Sequence, residues 1–223
     1  MGSKADICNM ALSHIGVGTE VQNVDTEASA EAQALRRFFD VARDATLRDF
    51  AWPFAMEIVA LPLVEENPND EWGFSYRYPS DTIRILKILS GLRNDNRQSQ
   101  VPYTLGRDDQ GILIYTDLSE AQIKRTFRVT DTTLFHADFE IALSWRIAAY
   151  VAPRLTGGDP FKMGDRAAKM YEIEISRARA SAINEDQADE DPQSEFVRSR
   201  TGDPTAGVQQ DWQALPASFH VSG

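Results

Sequence analysis

Cysteine is nearly missing from this chain: Cys8 is the single thiol in 223 residues. One thiol cannot close an intramolecular disulfide or build a cysteine-based structural zinc site, so the fold must rest on its own packing. Histidine is almost as scarce, with His14, His136 and His220 far apart and no HExxH or other metal-ligand spacing among them. The most apolar stretch, around Ile147 to Val151, falls far short of the roughly 20 residues that a membrane helix requires. Met1 to Asn9 mixes Lys4 and Asp6 with small residues and has no apolar core, so a secretory signal is not expected. The expected setting is a reducing, cytosol-like compartment.

Basic residues are in deficit too. Lys and Arg total 23 against 34 Asp and Glu, a formal net charge of −11. Specific DNA binding draws on a basic stripe that releases counterions, and a net negative surface works against it. Charge alone fits a soluble acidic protein, and equally a surface past which nucleic acid slides without sticking.

What is present suffices for a globular core. Hydrophobic residues make up 42% and charged residues 26%, which excludes wholesale disorder and fibrous repeats. A chain of this length fills one large domain or two small ones, and buries roughly 70% of its unfolded surface.

The spacing of Ile7, Met10/Ala11 and Ile15 predicts a first helix from about Lys4 to Ile15, with Ser3 as N-cap and Gly16 and Gly18 as its stop. Asp25 or Thr26 is the candidate cap of a second helix over about Glu27 to Phe50, ended by Trp52-Pro53-Phe54. From Ala55 to Thr130 short apolar segments alternate with turn residues: Met56 to Val64, Thr82 to Leu89, Gly111 to Tyr115 and Gln122 to Val129. These read as strands of one small antiparallel sheet. A third, nearly all-apolar helix follows from about His136, with Pro153 set to kink it near its end. Asp159 and Pro160 open a fourth helix that runs to about Ile183, its apolar stripe broken at Glu174.

Beyond Asn184 the core signal stops. Glu185 to Pro192 carries five acids and no base, a composition that cannot offset its own ordering entropy. Phe196, Trp212, Leu215, Phe219 and Val221 stand in this segment as single apolar anchors, a pattern that favours a tail ordering on a partner over a plain disordered terminus. The expected fold is therefore α+β: a mainly α-helical bundle of about four helices with a small antiparallel β-sheet insertion and an extended C-terminal tail. Its parts are 1–54 and 131–184 for the helices, 55–130 for the insertion and 185–223 for the tail.

Catalytic motifs are sparse. No GxSxG elbow, P-loop or dinucleotide fingerprint occurs. Cys8 falls near the apolar face of the first helix and reads as a buried inert thiol. Glu57, Glu71, Asp81, Asp108, Asp109 and Asp117 lie in the sheet region, and two carboxylates across a glycosidic bond would suffice for a hydrolase. Arg84, Lys87, Arg93, Arg97, Arg125 and Arg128 are scattered among Tyr76, Tyr78 and Tyr103 with acids between them, the mark of a solvated sheet face more than of nucleic-acid readout. Arg166, Lys169, Arg177 and Arg179 alternate with Glu172 and Glu174 on the fourth helix, a solvated face by default and a bridging face in an oligomer.

The order of segments carries a resemblance. Asn9 to Gly16 (NMALSHIG) is similar to an "N-x-AL-x-x-IG" opening, Asp25 to Ala34 leads into a long helix, and Trp52-Pro53-Phe54-Ala55 matches "WPFA". Tyr78-Pro79-Ser80-Asp81 is similar to "LPxD", with Tyr78 where leucine is usual, and Val129 to Phe135 precedes an Ala-rich helix. Together these five motifs over about residues 5 to 185 resemble the tail tubular protein A, or head-to-tail adaptor, family of short-tailed phages. The resemblance implies a structural virion protein without catalysis or cofactor. It implies a ring, a dodecamer in the family, that is assembled in the host cytoplasm and sits at the head-to-tail junction of the virion. Its implied partners are the portal protein and the tail nozzle (tail tubular protein B type), and genomic DNA passes through its channel without sequence-specific binding. Trp52, Pro53, Phe54, Pro79 and Asp81 are then the family-motif core, and Phe196, Trp212, Leu215 and Phe219 the anchors on the portal. The alternative from another class is a virion-associated peptidoglycan hydrolase using two of the sheet-region carboxylates, testable at Glu57 and Asp81; a third reading is a generic soluble helical bundle with no viral role.

Overall fold

Ser3 and Asp6 cap the first helix reciprocally: the Asp6 amide donates to the Ser3 hydroxyl at 3.2 Å, and the Ser3 amide donates to the Asp6 carboxylate at 2.8 Å. This helix, α1 (Lys4–His14), ends before Gly16, whose φ of +76° is a left-handed value that a Cβ disfavours. The computed structural model describes residues 2–91, 101–157 and 160–185. Among them the fold is mixed α+β, with four helices and two antiparallel sheets.

The second helix, α2 (Ala30–Asp49), begins later than Asp25 or Thr26 would place it. Asn23 Oδ1 accepts the amides of both Asp25 and Thr26, so these residues form a turn. The cap passes to Ser29, whose hydroxyl accepts the Ala32 amide at 3.3 Å.

The expected single sheet is two, and the run Met56 to Val64 is two strands. Pro62 has no N–H to give a ladder, and at that point the chain leaves one sheet for the other. The strands in chain order are β1 (Met56–Ala60), β2 (Leu63–Glu66), β3 (Phe74–Arg77), β4 (Thr82–Leu89), β5 (Thr104–Asp108), β6 (Gly111–Thr116) and β7 (Gln122–Phe127). They pair as β1-β7-β4 and β2-β3-β6-β5, every neighbour antiparallel. Val59, Ile123 and Ile88 share a row of the first sheet, Tyr76 and Ile114 a row of the second, and these faces bury a small core of their own. In the second sheet Gly106 cannot carry a side chain without moving its neighbour: a Cβ there would lie 2.3 Å from the Tyr115 ring. The aromatic ring covers the bare strand position.

α3 (Ala137–Leu155) packs against α1, α2 and the last helix, α4 (Pro160–Glu185). It buries Phe139, Ala142, Leu143, Ile147, Ala148 and Val151, the width expected of a helix covered on several sides. Pro153 does not end it; the helix runs to Leu155. The proline leaves the Ala149 carbonyl without its intrahelical donor, and Gly164 of α4 packs beside that oxygen, where a Cβ would lie 3.5 Å away. Along α4 the apolar stripe is Ala167, Tyr171, Ile175 and Ala178. Glu174 turns aside to pair with Arg177 at 2.8 Å, and Ile175 carries the stripe past it.

Candidate functional site

Trp52, Pro53 and Phe54 form the joint between the helical core and the first sheet. Trp52 is 2% exposed and donates its indole N–H to the Thr46 carbonyl at 2.9 Å, which satisfies the last turns of α2. Its ring meets Phe50 and Phe139 edge-on at 5.2 and 5.1 Å between centroids. Phe54 packs on Phe135, His136 and Phe139, and Phe135 lies 4.7 Å from Phe139. Such edge-to-face arrangements are favourable beyond simple burial. Pro53 opens a short 3₁₀ turn, Pro53–Ala55, where its missing N–H costs nothing.

Pro79 and Asp81 form the turn into β4. The Thr82 amide donates to the Pro79 carbonyl at 3.1 Å, and the Arg128 amide donates to the Asp81 carbonyl at 2.8 Å. The Asp81 carboxylate takes both terminal nitrogens of Arg125, the Nη2 contact at 3.0 Å. Glu57, directly across from Arg125 in the β1–β7 register, accepts from Nη2 at 2.9 Å, and Thr82 Oγ1 accepts from Nη1 at 2.7 Å. The Arg125 side chain is 6% exposed, whereas Glu57 and Asp81 are 46% and 53% exposed. Hydrogen bonds from Arg125 hold the Asp81 carboxyl below its ordinary value. Two of the six carboxylates considered for hydrolysis, Glu57 and Asp81, thus meet on a guanidinium.

The other sequence candidates are dispersed. Asp108 forms a two-pronged pair with Arg77, at 2.7 and 2.8 Å, that holds its carboxyl down at about 2. Asp117 accepts the Gly73 amide at 2.9 Å. Cys8 is buried in the helical core, and desolvation pushes its thiol up to about 12. His14 stacks on Trp145 at 3.5 Å and lies 3.0 Å from Ser144 Oγ; burial lowers its pKa. His136 stands at the N-cap of α3. Arg84, Lys87 and Lys124 fall on one face of the first sheet, the face opposite Arg125. Arg93, Arg97, Asp159, His220 and the four tail anchors, Phe196, Trp212, Leu215 and Phe219, lie outside the described residues.

Sequence reasoning missed a polar hub at the end of α2. Arg146 of α3 donates to Asp49 Oδ2 at 2.8 Å and to the Tyr171 hydroxyl at 2.9 Å, and Tyr171 donates to the same Asp49 oxygen at 2.6 Å. The Arg146 guanidinium lies 4.4 Å from the Tyr171 ring centroid. Burial pushes the Tyr171 phenol up. Arg84 and Arg179 complete the hub by donating to the Arg48 and Asp49 carbonyls at 3.2 and 2.9 Å, which places cations at the negative end of α2. Members come from α2, α3, α4 and β4, so no spacing along the chain announces them.

Neither protein-family models nor curated proteins match this chain.

Proposed function

We propose that this chain is a non-catalytic structural virion protein, a head-to-tail adaptor. In this reading copies form a ring, a dodecamer by family analogy, between the portal and the tail nozzle. The helices form a bundle that packs side by side around the ring, the strands of 55–130 are an insertion facing the tail, and residues 185–223 are an extended segment reaching the portal. Phe196, Trp212, Leu215 and Phe219 bind there, with affinity concentrated in the aromatic anchors. The ring closes the packaged head and lines the DNA exit channel, and the repetition of one weak contact supplies its strength.

The observation that carries the reading is the ordered set of five motifs from Asn9 to Phe135. Two of them have identifiable physical work: Trp52 and Phe54 join helices to sheet, and Asp81 fastens the β4 turn to Arg125. The charge of −11 suits a channel wall that repels phosphate, over a range limited to about 8 Å by physiological salt. Asp81 is held ionised, whereas a glycosidase acid needs a raised pKa. The reading therefore predicts no clearing of a peptidoglycan suspension, with Glu57→Gln and Asp81→Asn indistinguishable from the parent chain; clearing lost in both variants would install the hydrolase instead.

Co-sedimentation with the cognate portal tests the adaptor directly. The full chain pellets with portal rings, and a chain ending at Asn184 stays folded but does not pellet. A truncated chain that still pellets removes the tail from the portal contact, and a full chain that never does removes the adaptor.

A further inference from the structure

Between α3 and α4 lies a cavity of about 280 Å³, lined by Arg146, Ala149, Tyr150, Ala168, Lys169 and Glu172 among others. Its volume is just below the range of ligand sites, roughly 300 to 1,000 Å³. It suits one aromatic side chain better than a cofactor. The lining is apolar at Ala149, Tyr150 and Ala168, and along α4 the cation Lys169 precedes the anion Glu172 by about one turn, with Arg146 supplied by α3. Arg146 makes its three side-chain donations, to Thr46, Asp49 and Tyr171, from Nη1 alone. Its Nε and Nη2 are uncommitted among the described residues.

The sequence contains a segment with the matching order of chemistry. Glu195-Phe196-Val197-Arg198 sets an acid immediately before an aromatic ring and a base two residues after it. We propose that the cavity is a docking site for Phe196 of a second copy of this chain, with Glu195 facing Lys169 and Arg146, and Arg198 facing Glu172. The charge pattern reads correctly in one direction only, so the pairing also fixes orientation. Reach sets a limit: from the end of α4 at Glu185, Phe196 is eleven residues on, so the receiving cavity lies within about 40 Å of the donor's Glu185. That is close to the length of α4 itself, about 39 Å at 1.5 Å per residue. The choice of a second copy as donor rests on the ring reading above. It takes Phe196 from the portal anchors, makes its segment a strap between lateral neighbours, and leaves Trp212, Leu215 and Phe219 for the portal.

The test uses the full-length chain carrying Phe196→Ala, so that its own anchor does not compete, and a labelled synthetic peptide of residues 193–200. Fluorescence anisotropy should show saturable binding that weakens at least tenfold with Phe196→Ala in the peptide. Ala168→Trp in the receptor fills the cavity from an exposed helix position and should weaken it as much. Glu172→Lys in the receptor should weaken binding, and Arg198→Glu in the peptide should restore it; this swap carries the test if Ala168→Trp disturbs the fold, which melting curves reveal. No saturable binding, or binding indifferent to both receptor changes, overturns the proposal. The identity of the donor is read by sedimentation velocity above the peptide Kd. The Phe196→Ala chain, with an open cavity, is mixed with the Ala168→Trp chain, which has an intact donor. A one-to-one complex is expected from the mixture and from neither variant alone, and the unsubstituted chain should self-associate at the same concentration; an unsubstituted chain that stays monomeric there overturns the second-copy assignment. Failure here leaves portal co-sedimentation of the full chain unaffected, so the ring reading falls or stands separately.

Discussion

Replacing Arg125 with methionine removes a cation whose side chain is 6% exposed, while the carboxylates it holds, Glu57 and Asp81, are 46% and 53% exposed. That asymmetry sets the magnitude. Breaking a fully buried pair costs about 3–5 kcal/mol because the surviving charge is left dry. Here the survivors sit at the surface and rehydrate, and methionine keeps much of the aliphatic bulk, so the expected loss is about 1–2 kcal/mol. Asp81→Asn leaves Arg125 with Glu57 and the Thr82 hydroxyl and should cost about 1 kcal/mol. The two substitutions remove one shared contact, so the double variant should fall short of their sum by about 0.5–1 kcal/mol. Urea denaturation measures all three, with m unchanged if the states compared are the same. The pH dependence has a definite sign. Arg125 depresses the folded-state pKa of Asp81 below the ordinary 3.8, so this stabilisation is fully present above that value and fades as pH falls through the lowered one. Arg125→Met should flatten that part of the acid limb. Additive losses to within about 0.3 kcal/mol, or an Arg125→Met cost above about 4 kcal/mol, would refute the reasoning.

Trp52→Ala should cost about 3–5 kcal/mol for lost packing, whereas Trp52→Phe, which keeps a ring but orphans the Thr46 carbonyl, should cost about 1–3 kcal/mol; chemical denaturation separates them. The Cys8 thiol should resist Ellman's reagent at pH 8 in the native state and react at once in denaturant, since burial pushes it up to about 12. Gly106→Ala should lower stability by about 1–3 kcal/mol, because the Tyr115 ring must leave its place, and Tyr115→Ala in the same chain should make Gly106→Ala nearly silent in thermal melts.

Much of the helical part is legible in the sequence because its signals are local. Ser3 and Asp6 cap α1 at the spacing a capping box requires, and Phe139 to Val151 spells a helix covered on several sides. The start of α2 was less readable: Asp25 and Thr26 have the right chemistry for a cap, but Asn23 recruits their amides into a turn first. The sheets depart from expectation at Pro62 and at two further strands, β3 and β5. Pro62 lies in an unbroken apolar run, and only the missing N–H tells that β1 and β2 belong to different sheets. β3 (FSYR) alternates aromatic and polar residues but over four positions only, and β5 (TLGRD) has a single large apolar residue, so neither stands out as a strand. Of the candidate residues, Trp52, Phe54 and Asp81 stood out through motif order, and the partners that explain them, Thr46, Phe139 and Arg125, came from elsewhere in the chain. The Arg146–Asp49–Tyr171 hub was illegible for the same reason: its contacts join residues 97 and 122 positions apart.

Cryo-electron microscopy of mature particles, with this chain labelled by an antibody fragment against its helices, tests the central claim most directly. The account predicts a closed ring of label at the vertex where the portal meets the tail, and none elsewhere on the particle. Label on the capsid shell, on the fibres, inside the head, or absent from intact virions would contradict it.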